Sequence, residues 1–360
     1  MGTWGGALIV VLAGLIQGSG AWPMKLMKKF KFEHWWFVSM LIGLVLAPWA
    51  ITLAWCPHAF GAYRSIDPAT LIKANVFALS WGVANILCGL CFVRIGIALT
   101  GGILTGLGVS VGVTLPMIVK GSGLFSAAPN LTSAAGRAVL VGVGIMLVGV
   151  LCAALAGFGR DRALSRQPEQ DSGKQDSEGQ PNDQRPSGSF LGGLIMVVVA
   201  GALSAGISFA FVYSQGPIVS AMKAQGAGEI PANFAVWAVG LLGGALINVT
   251  YPAYLMTRNS SWNVLLESWK ELALAVIMGF NFILGVAIMG KGMLLLGPLG
   301  ASVGFGVQQA TQMLGSQSVG FASGEWRGIV GKPRRQMYLA IAILIAAALV
   351  MAYGNTLAKS

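Results

Sequence analysis

Ten runs of mostly apolar residues dominate this chain, each close to the ~20 residues that one helix needs to cross a bilayer core. They lie roughly at 4–23, 35–55, 71–92, 96–119, 137–157, 190–213, 232–256, 271–289, 294–321 and 336–354. Within each run the apolar residues are continuous rather than alternating, which excludes a closed membrane barrel. Hydrophobic residues make up 55% of the 360 and charged residues only 10%, whereas an average soluble domain carries about 25% charge. A water-facing surface would need more charge than that. The expected fold class is therefore an all-α membrane protein with ten transmembrane helices, and the expected surroundings are a lipid bilayer.

The formal net charge of +11 is of a kind that can serve nucleic acid. Here the basic residues fall between apolar runs rather than along one stripe, so no nucleic-acid partner is expected. They sort instead by side of the membrane. One side collects Lys25, Lys28, Lys29, Lys31, Arg94, Arg160, Arg162, Arg166, Lys174, Arg185, Arg258, Lys270, Arg327, Lys332, Arg334 and Arg335; the other has Arg64, Lys73, Lys120, Arg137, Lys223, Lys291 and Lys359. The first group should be cytoplasmic, which puts both termini in the periplasm. Met1-Gly2-Thr3-Trp4 lacks the basic start of a cleavable signal, so the first run should stay as a span.

Residues 158–189 differ in kind. They open with Phe158-Gly159-Arg160-Asp161-Arg162 and continue rich in Gln, Ser, Asp, Pro and Gly. Such a composition cannot bury a core and predicts a disordered cytoplasmic linker. It divides the chain into two units, 1–157 and 190–360, with five spans each. An odd number per unit forces the second to insert upside down relative to the first. The sequence carries traces of that duplication: Gly5-Gly6-Ala7-Leu8-Ile9-Val10-Val11-Leu12-Ala13-Gly14 is echoed by Gly192-Gly193-Leu194-Ile195-Met196-Val197-Val198-Val199-Ala200-Gly201, and Trp81-Gly82-Val83-Ala84-Asn85 by Met278-Gly279-Phe280-Asn281 with its neighbours. Two inverted five-helix repeats are the architecture of many secondary transporters.

Candidate functional residues are the polar side chains inside apolar runs, where an unpaired amide is costly. They include Gln17, Asn85, Asn248, Asn281, Gln308 and Gln312, the last two one turn apart on one helical face. An amide both donates and accepts, which suits the adjacent hydroxyls of a sugar, and interhelical packing is the competing use. Trp22, Trp81, Tyr213 and Trp237 offer rings that can stack on a sugar's C–H face, with Trp81 the deepest in its run. No Asp or Glu lies mid-span. Glu271 and Glu325, beside apolar runs, are the expected proton carriers.

Other chemistry finds little support. Glycines crowd runs four and nine, where small residues let helices approach closely. Gly108-Val109-Ser110-Val111-Gly112 and Gly300-Ala301-Ser302-Val303-Gly304 match a hydrolase elbow, but they lie within membrane runs without a histidine partner. An enzyme is not expected. Cys88 and Cys91 have the spacing of a redox or metal pair; inside an apolar helix they read as small hydrophobes. No cofactor or metal is expected.

With those residues in hand, the chain resembles the L-rhamnose–proton symporter family of the drug/metabolite transporter superfamily. The likeness rests on Pro23 followed by Lys25, Lys28, Lys29 and Lys31, on Pro48-Trp49-Ala50-Ile51, and on Trp81-Gly82 with Asn85 and Gly89-Leu90. It continues through Gly136-Arg137, Ser204-Ala205-Gly206 with Ser208-Phe209-Ala210, Gly243-Gly244-Ala245 with Asn248, and Glu325-Trp326. The resemblance implies ten helices, a central sugar site and proton-driven uptake across a bacterial inner membrane. By position it implies that Trp81, Asn85, Ser204, Ser208 and Asn248 face the cavity. This chain departs from the family pattern near Cys88 and at Gly279-Phe280-Asn281-Phe282, where members are more aromatic, so the sugar can differ from rhamnose. Export of another metabolite or an amino acid, and a non-transporting scaffold or sensor, are the alternative readings. The oligomeric state is not legible in the sequence.

Overall fold

The computed structural model describes residues 3–20, 22–95, 97–118, 129–164, 190–296, 303–324 and 326–357. Among them there are helices and no strands. In chain order these are α1 (Thr3–Ser19), a short 3-10 turn (Trp22–Leu26), α2 (Phe32–Met40), a π-helical turn (Leu41–Leu46), α3 (Ala47–Trp55), α4 (Ala59–Arg64), α5 (Pro68–Ile95), α6 (Ile97–Ile118) and α7 (Ala134–Leu164). The second half has α8 (Phe190–Ser204), α9 (Gly206–Ala224), α10 (Glu229–Ala235), a second π-helical turn (Val236–Gly240), α11 (Leu242–Arg258), α12 (Val264–Glu267), α13 (Trp269–Leu296), α14 (Phe305–Ala322) and α15 (Lys332–Leu357).

Seven of these segments are long and apolar enough to cross a membrane, and eight if the pair Glu229–Gly240 and Leu242–Arg258, bent by 55°, forms one span. α6 and α14, in the fourth and ninth expected runs, are not among them. Side chains facing outward are those of a lipid-exposed surface: Leu8 is 69% exposed, Ile72 64%, Leu151 60% and Leu349 62%. Exposed leucine in this density is unfavourable against water and neutral against acyl chains.

Two expected boundaries move. α7 runs to Leu164, seven residues into the segment 158–189 read as linker; residues 165–189 lie outside the described residues. The boundary between the eighth and ninth runs, expected between 289 and 294, falls later, because α13 continues to Leu296. Packing explains this continuity. A Cβ built on Gly292 would stand 2.6 Å from Val10 Cγ2, so the glycine serves a close helix crossing rather than a turn.

The helices pair in a definite scheme. α1 lies against α13 and α14; α5 lies against α8, α9 and α11; α7 and α15 form the most extensive pairing; α6 contacts α7 and α8; α2 contacts α11 and α13; α14 contacts α15. The α7–α15 seam is a buried apolar cluster that includes Val139, Val143, Met146, Val150, Met337, Leu344 and Met351. The α1–α14 crossing is tighter. A Cβ on Gly18 would come within 1.9 Å of the Gln312 carbonyl oxygen, and one on Gly315 within 2.7 Å of the Leu15 carbonyl. Backbones approach that closely only where side chains are missing.

Candidate functional site

The break between α10 and α11 organises the centre of the molecule. Its π-helical turn leaves backbone groups without ordinary helical partners, and such groups need satisfaction away from water. Asn75 of α5 supplies it. Its Nδ2 donates to the Val239 carbonyl at 3.0 Å and to the Leu71 carbonyl at 2.9 Å, while its Oδ1 accepts from the Gly243 N–H at 2.7 Å. Tyr63 of α4 adds a second tie, its buried hydroxyl donating to the Ala235 carbonyl at 2.8 Å. Burial pushes the Tyr63 phenol well above the usual tyrosine range, against a lowering contribution from the Thr52 hydroxyl. It therefore stays a donor at any physiological pH.

Beside this bend opens a cavity with about 890 Å³ of empty space, its open mouth included. Ile207, Ser208, Phe211 and Gln215 of α9 form one wall; Asn233 and Phe234 of α10 with Trp237 of the π turn form a second; Val286, Met289, Gly290, Lys291 and Leu294 of α13 belong to a third, with Gly112 and Phe305 closing it. The lining is mostly apolar and aromatic. Trp237 is fixed edge-on against Phe211, with centroids 5.3 Å apart, and against Phe282 at 5.8 Å. Polar groups are few. Gln215, 4% exposed, donates through Nε2 to Asn233 Oδ1 at 3.1 Å, and Asn233 in turn donates to the Glu229 carbonyl at 2.8 Å. Ser208 lines the cavity and Lys291 reaches it from an exposed position. A concave apolar pocket with a small set of fixed polar groups is the usual form of a small-molecule site.

Of the residues singled out from the sequence as substrate contacts, Ser208 and Trp237 line this cavity. Gln17, Gln308 and Gln312 come together elsewhere, at the α1–α14 crossing. Gln308, 3% exposed, donates through Nε2 both to Gln17 Oε1 and to Gln312 Oε1, the latter at 2.8 Å. Asn248 is fully buried. Its Oδ1 accepts from the Trp36 indole N–H at 3.1 Å, and its Nδ2 donates to the Gly244 carbonyl at 2.9 Å. Trp81 sits in the apolar core with Ala78, Leu241 and Ala245, its ring so close to α11 that a Cβ on Gly244 would meet it at 2.5 Å. Ser204 faces α6 at Gly108 and donates to the Gly201 carbonyl at 2.7 Å. Asn85 is half-buried on α5, one turn beyond Trp81, and Asn281 is half-buried on α13 beside Gly20.

The two acidic residues part company. Glu325 lies outside the described residues. Glu271, in the first turn of α13 and 8% exposed, holds the strand of chain after α1. Its carboxylate accepts from the backbone N–H groups of Lys28 (3.1 Å), Lys29 (3.0 and 3.1 Å) and Phe30 (2.7 Å). Successive amides converging on one carboxylate make an anion nest. Cys88 and Cys91 are buried in α5, and the Cys91 thiol donates to the Gly193 carbonyl at 3.7 Å, as expected of small core residues.

Sequence reasoning missed Asn75, Gln215, Asn233 and Tyr63. Asn75 carries the same signal as the amides that were singled out, a polar side chain inside an apolar run. Gln215 lies two residues past the expected end of the sixth run, and Asn233 at the very start of the seventh, so both looked like ordinary polar boundary residues.

A family model described as L-rhamnose-proton symport protein matches residues 7–356. L-rhamnose-proton symporters of Yersinia pestis biovar Antiqua and of Yersinia pseudotuberculosis are each 29% identical over 229 residues, 64% of this chain. The match spans 60% of the length of those relatives. With a match to the family over nearly its whole length, the chain belongs to the L-rhamnose-proton symport protein family.

Proposed function

We propose that the protein imports L-rhamnose or a similar deoxy-sugar together with a proton, by alternating access of two inverted five-helix repeats in a bacterial inner membrane. The family match over residues 7–356 carries this reading. The cavity supports it chemically: a deoxy-sugar has one face of hydroxyls and one of C–H groups. Gln215, Asn233, Ser208 and Lys291 suit the first, and Trp237, Phe211 and Phe305 the second.

The repeat is supported by the helix pairings. Exchange each span for the one five further on and the scheme maps onto itself. α1 with α14 becomes α8 with α6, α1 with α13 becomes α8 with α5, α6 with α7 becomes α14 with α15, α5 with α11 becomes α13 with α2, and α7 with α15 returns to itself. The π-helical turns at Leu41–Leu46 and Val236–Gly240 fall in the corresponding second and seventh spans. Five spans per repeat make the relation an inversion, and the division of basic residues favours both termini in the periplasm. On that orientation Lys291 marks the periplasmic end of α13, the cavity opens outward, and the Gln17–Gln308–Gln312 cluster belongs to the closed cytoplasmic half. Asn248, Trp81 and Ser204 then serve packing rather than sugar contact.

Proton coupling is assigned to Glu271. Protonation removes a negative acceptor from three amides at once, so it loosens the chain between α1 and α2, on the closed side. Binding the proton and opening the cytoplasmic half are thereby linked. Uptake of labelled rhamnose into proteoliposomes, with and without an imposed pH gradient, tests the whole reading. Accumulation above equilibrium is expected only with the gradient; equilibration regardless of the gradient removes the symport claim.

A further inference from the structure

A second hollow lies between the chain joining α1 to α2 and the turn joining α11 to α12, with none of the central cavity's lining. It holds about 830 Å³ of empty space, open solvent included, and is lined by Lys29, Lys31, Glu33, His34, Asn259 and Ser261, with Val264. His34 is 1% exposed and already committed: its Nδ1 accepts from the Lys31 N–H at 3.0 Å, and its Nε2 lies 3.1 Å from the Ser261 hydroxyl and 3.2 Å from the Ser261 carbonyl. Glu33 is a buried carboxylate, 7% exposed, that accepts from Asn259 Nδ2 at 3.3 Å. Lys29 and Lys31 are exposed at the rim, Lys29 3.8 Å from Glu267.

That arrangement sets one negative charge inside and two positive charges at the mouth, one of them, that of Lys29, shared with the Glu267 carboxylate. A burial cost of this kind is offset by a partner of opposite charge. The complementary ligand carries a cation at its tip and an anion a few bonds behind it. The adjoining surface is apolar: Leu266 is 87% exposed, Trp269 73% and Trp262 42%. Tryptophans exposed beside a basic segment are the mark of the bilayer interface.

We propose that this hollow binds the headgroup of a membrane phosphatidylethanolamine. Its ammonium is directed at the Glu33 carboxylate, its phosphate lies between Lys29 and Lys31, and its acyl chains run along Leu266 and Trp269. A primary ammonium has three N–H donors for Glu33; the trimethylated choline headgroup has none, and a glycerol headgroup has no positive charge. Because a hydrogen bond to a charged group is among the stronger kinds, ethanolamine lipid should bind at least about tenfold tighter than choline lipid of the same chains.

The test is native mass spectrometry of the purified full-length protein in detergent, titrated with phosphatidylethanolamine, phosphatidylcholine and phosphatidylglycerol of identical acyl chains. The ethanolamine lipid should be preferred about tenfold. Glu33→Gln, which keeps an oxygen for Asn259, should abolish the preference over choline lipid. Lys29→Met with Lys31→Met, both at the exposed rim, should weaken ethanolamine and choline lipids together, and this double variant decides the matter if Glu33→Gln does not fold. Equal affinity for the three lipids, a preference that survives Glu33→Gln, or unchanged binding in the double lysine variant would each overturn the proposal. Displacement of the lipid by equimolar soluble phosphoethanolamine would also overturn it, in favour of a free metabolite.

Discussion

The backbone N–H of Gly243 donates to the side-chain oxygen of Asn75 at 2.7 Å. One amide on α5 thus completes the broken helix that forms a wall of the cavity, accepting on one side of the break and donating to Val239 on the other. Asn75→Ala would remove the side-chain acceptor of the Gly243 N–H in a low-dielectric setting, at about 1–3 kcal/mol for a group left unsatisfied. The expected outcome is a lower melting temperature together with faster hydrogen exchange confined to 236–243. Unchanged exchange there would mean that the bend is held by packing alone.

Tyr63 offers a prediction in pH. Its phenol is pushed up mainly by burial and donates to the Ala235 carbonyl. A folded-state value above the unfolded one means that the neutral phenol is favoured by folding. The contribution is fully present below the unfolded tyrosine value of about 10 and is lost as the pH rises further. Stability should therefore fall on the alkaline side in the wild type, and Tyr63→Phe should flatten that fall while lowering stability at neutral pH. An alkaline limb of the same steepness in the variant would assign it to other groups.

The α1–α14 crossing is expected to tolerate no added side chain. Gly18→Val would press its branched Cβ on the Gln312 carbonyl, and overpacking of this kind costs about 1–3 kcal/mol. Because the same turn carries the glutamine cluster, transport should fall along with thermal stability. Full transport at wild-type stability would show that the two helices can separate at no cost.

Cavity residues and packing residues should separate in kinetics. Gln215→Ala and Trp237→Ala are expected to raise the apparent KM for sugar tenfold or so, if each removes about 1.4 kcal/mol of binding. Asn248→Ala, which strands the Trp36 indole N–H, should lower stability and leave KM near the wild-type value. An unchanged KM in both cavity variants would move the sugar site elsewhere.

Glu271→Gln keeps the shape of the side chain and removes its charge, so the nest of Lys28, Lys29 and Phe30 amides loses its anion. Sugar counterflow, which needs no net proton movement, should persist, whereas gradient-driven accumulation should be lost. Accumulation at the wild-type level would exclude Glu271 as the coupling group.

The apolar runs were legible because lipid imposes a simple demand: a continuous apolar length with every backbone group satisfied within its own helix. That demand is local, so segments near α1, α5 and α15 could be read from composition alone. Ends were less legible, since helices continue beyond the apolar core into polar residues, as α7 does to Leu164. Gly292, between the eighth and ninth apolar runs, fits a break for a related reason. Glycine serves turns and close crossings alike, and only Val10 on the neighbouring helix tells which.

The polar residues divide the other way. By itself the sequence established a family, a lipid-facing α-helical chain and a stock of buried amides with costly unpaired groups. It could not rank those amides, because an amide saturated by a neighbour and an amide facing a cavity are identical along the chain. Tertiary packing made that choice, tying Asn248 to Trp36 and Gln308 to Gln17 while bringing Gln215 and Asn233 to the wall of an open space. Hydrogen-bond satisfaction is a property of positions in space, and for Asn248 and Gln308 partners more than two hundred residues away decide it.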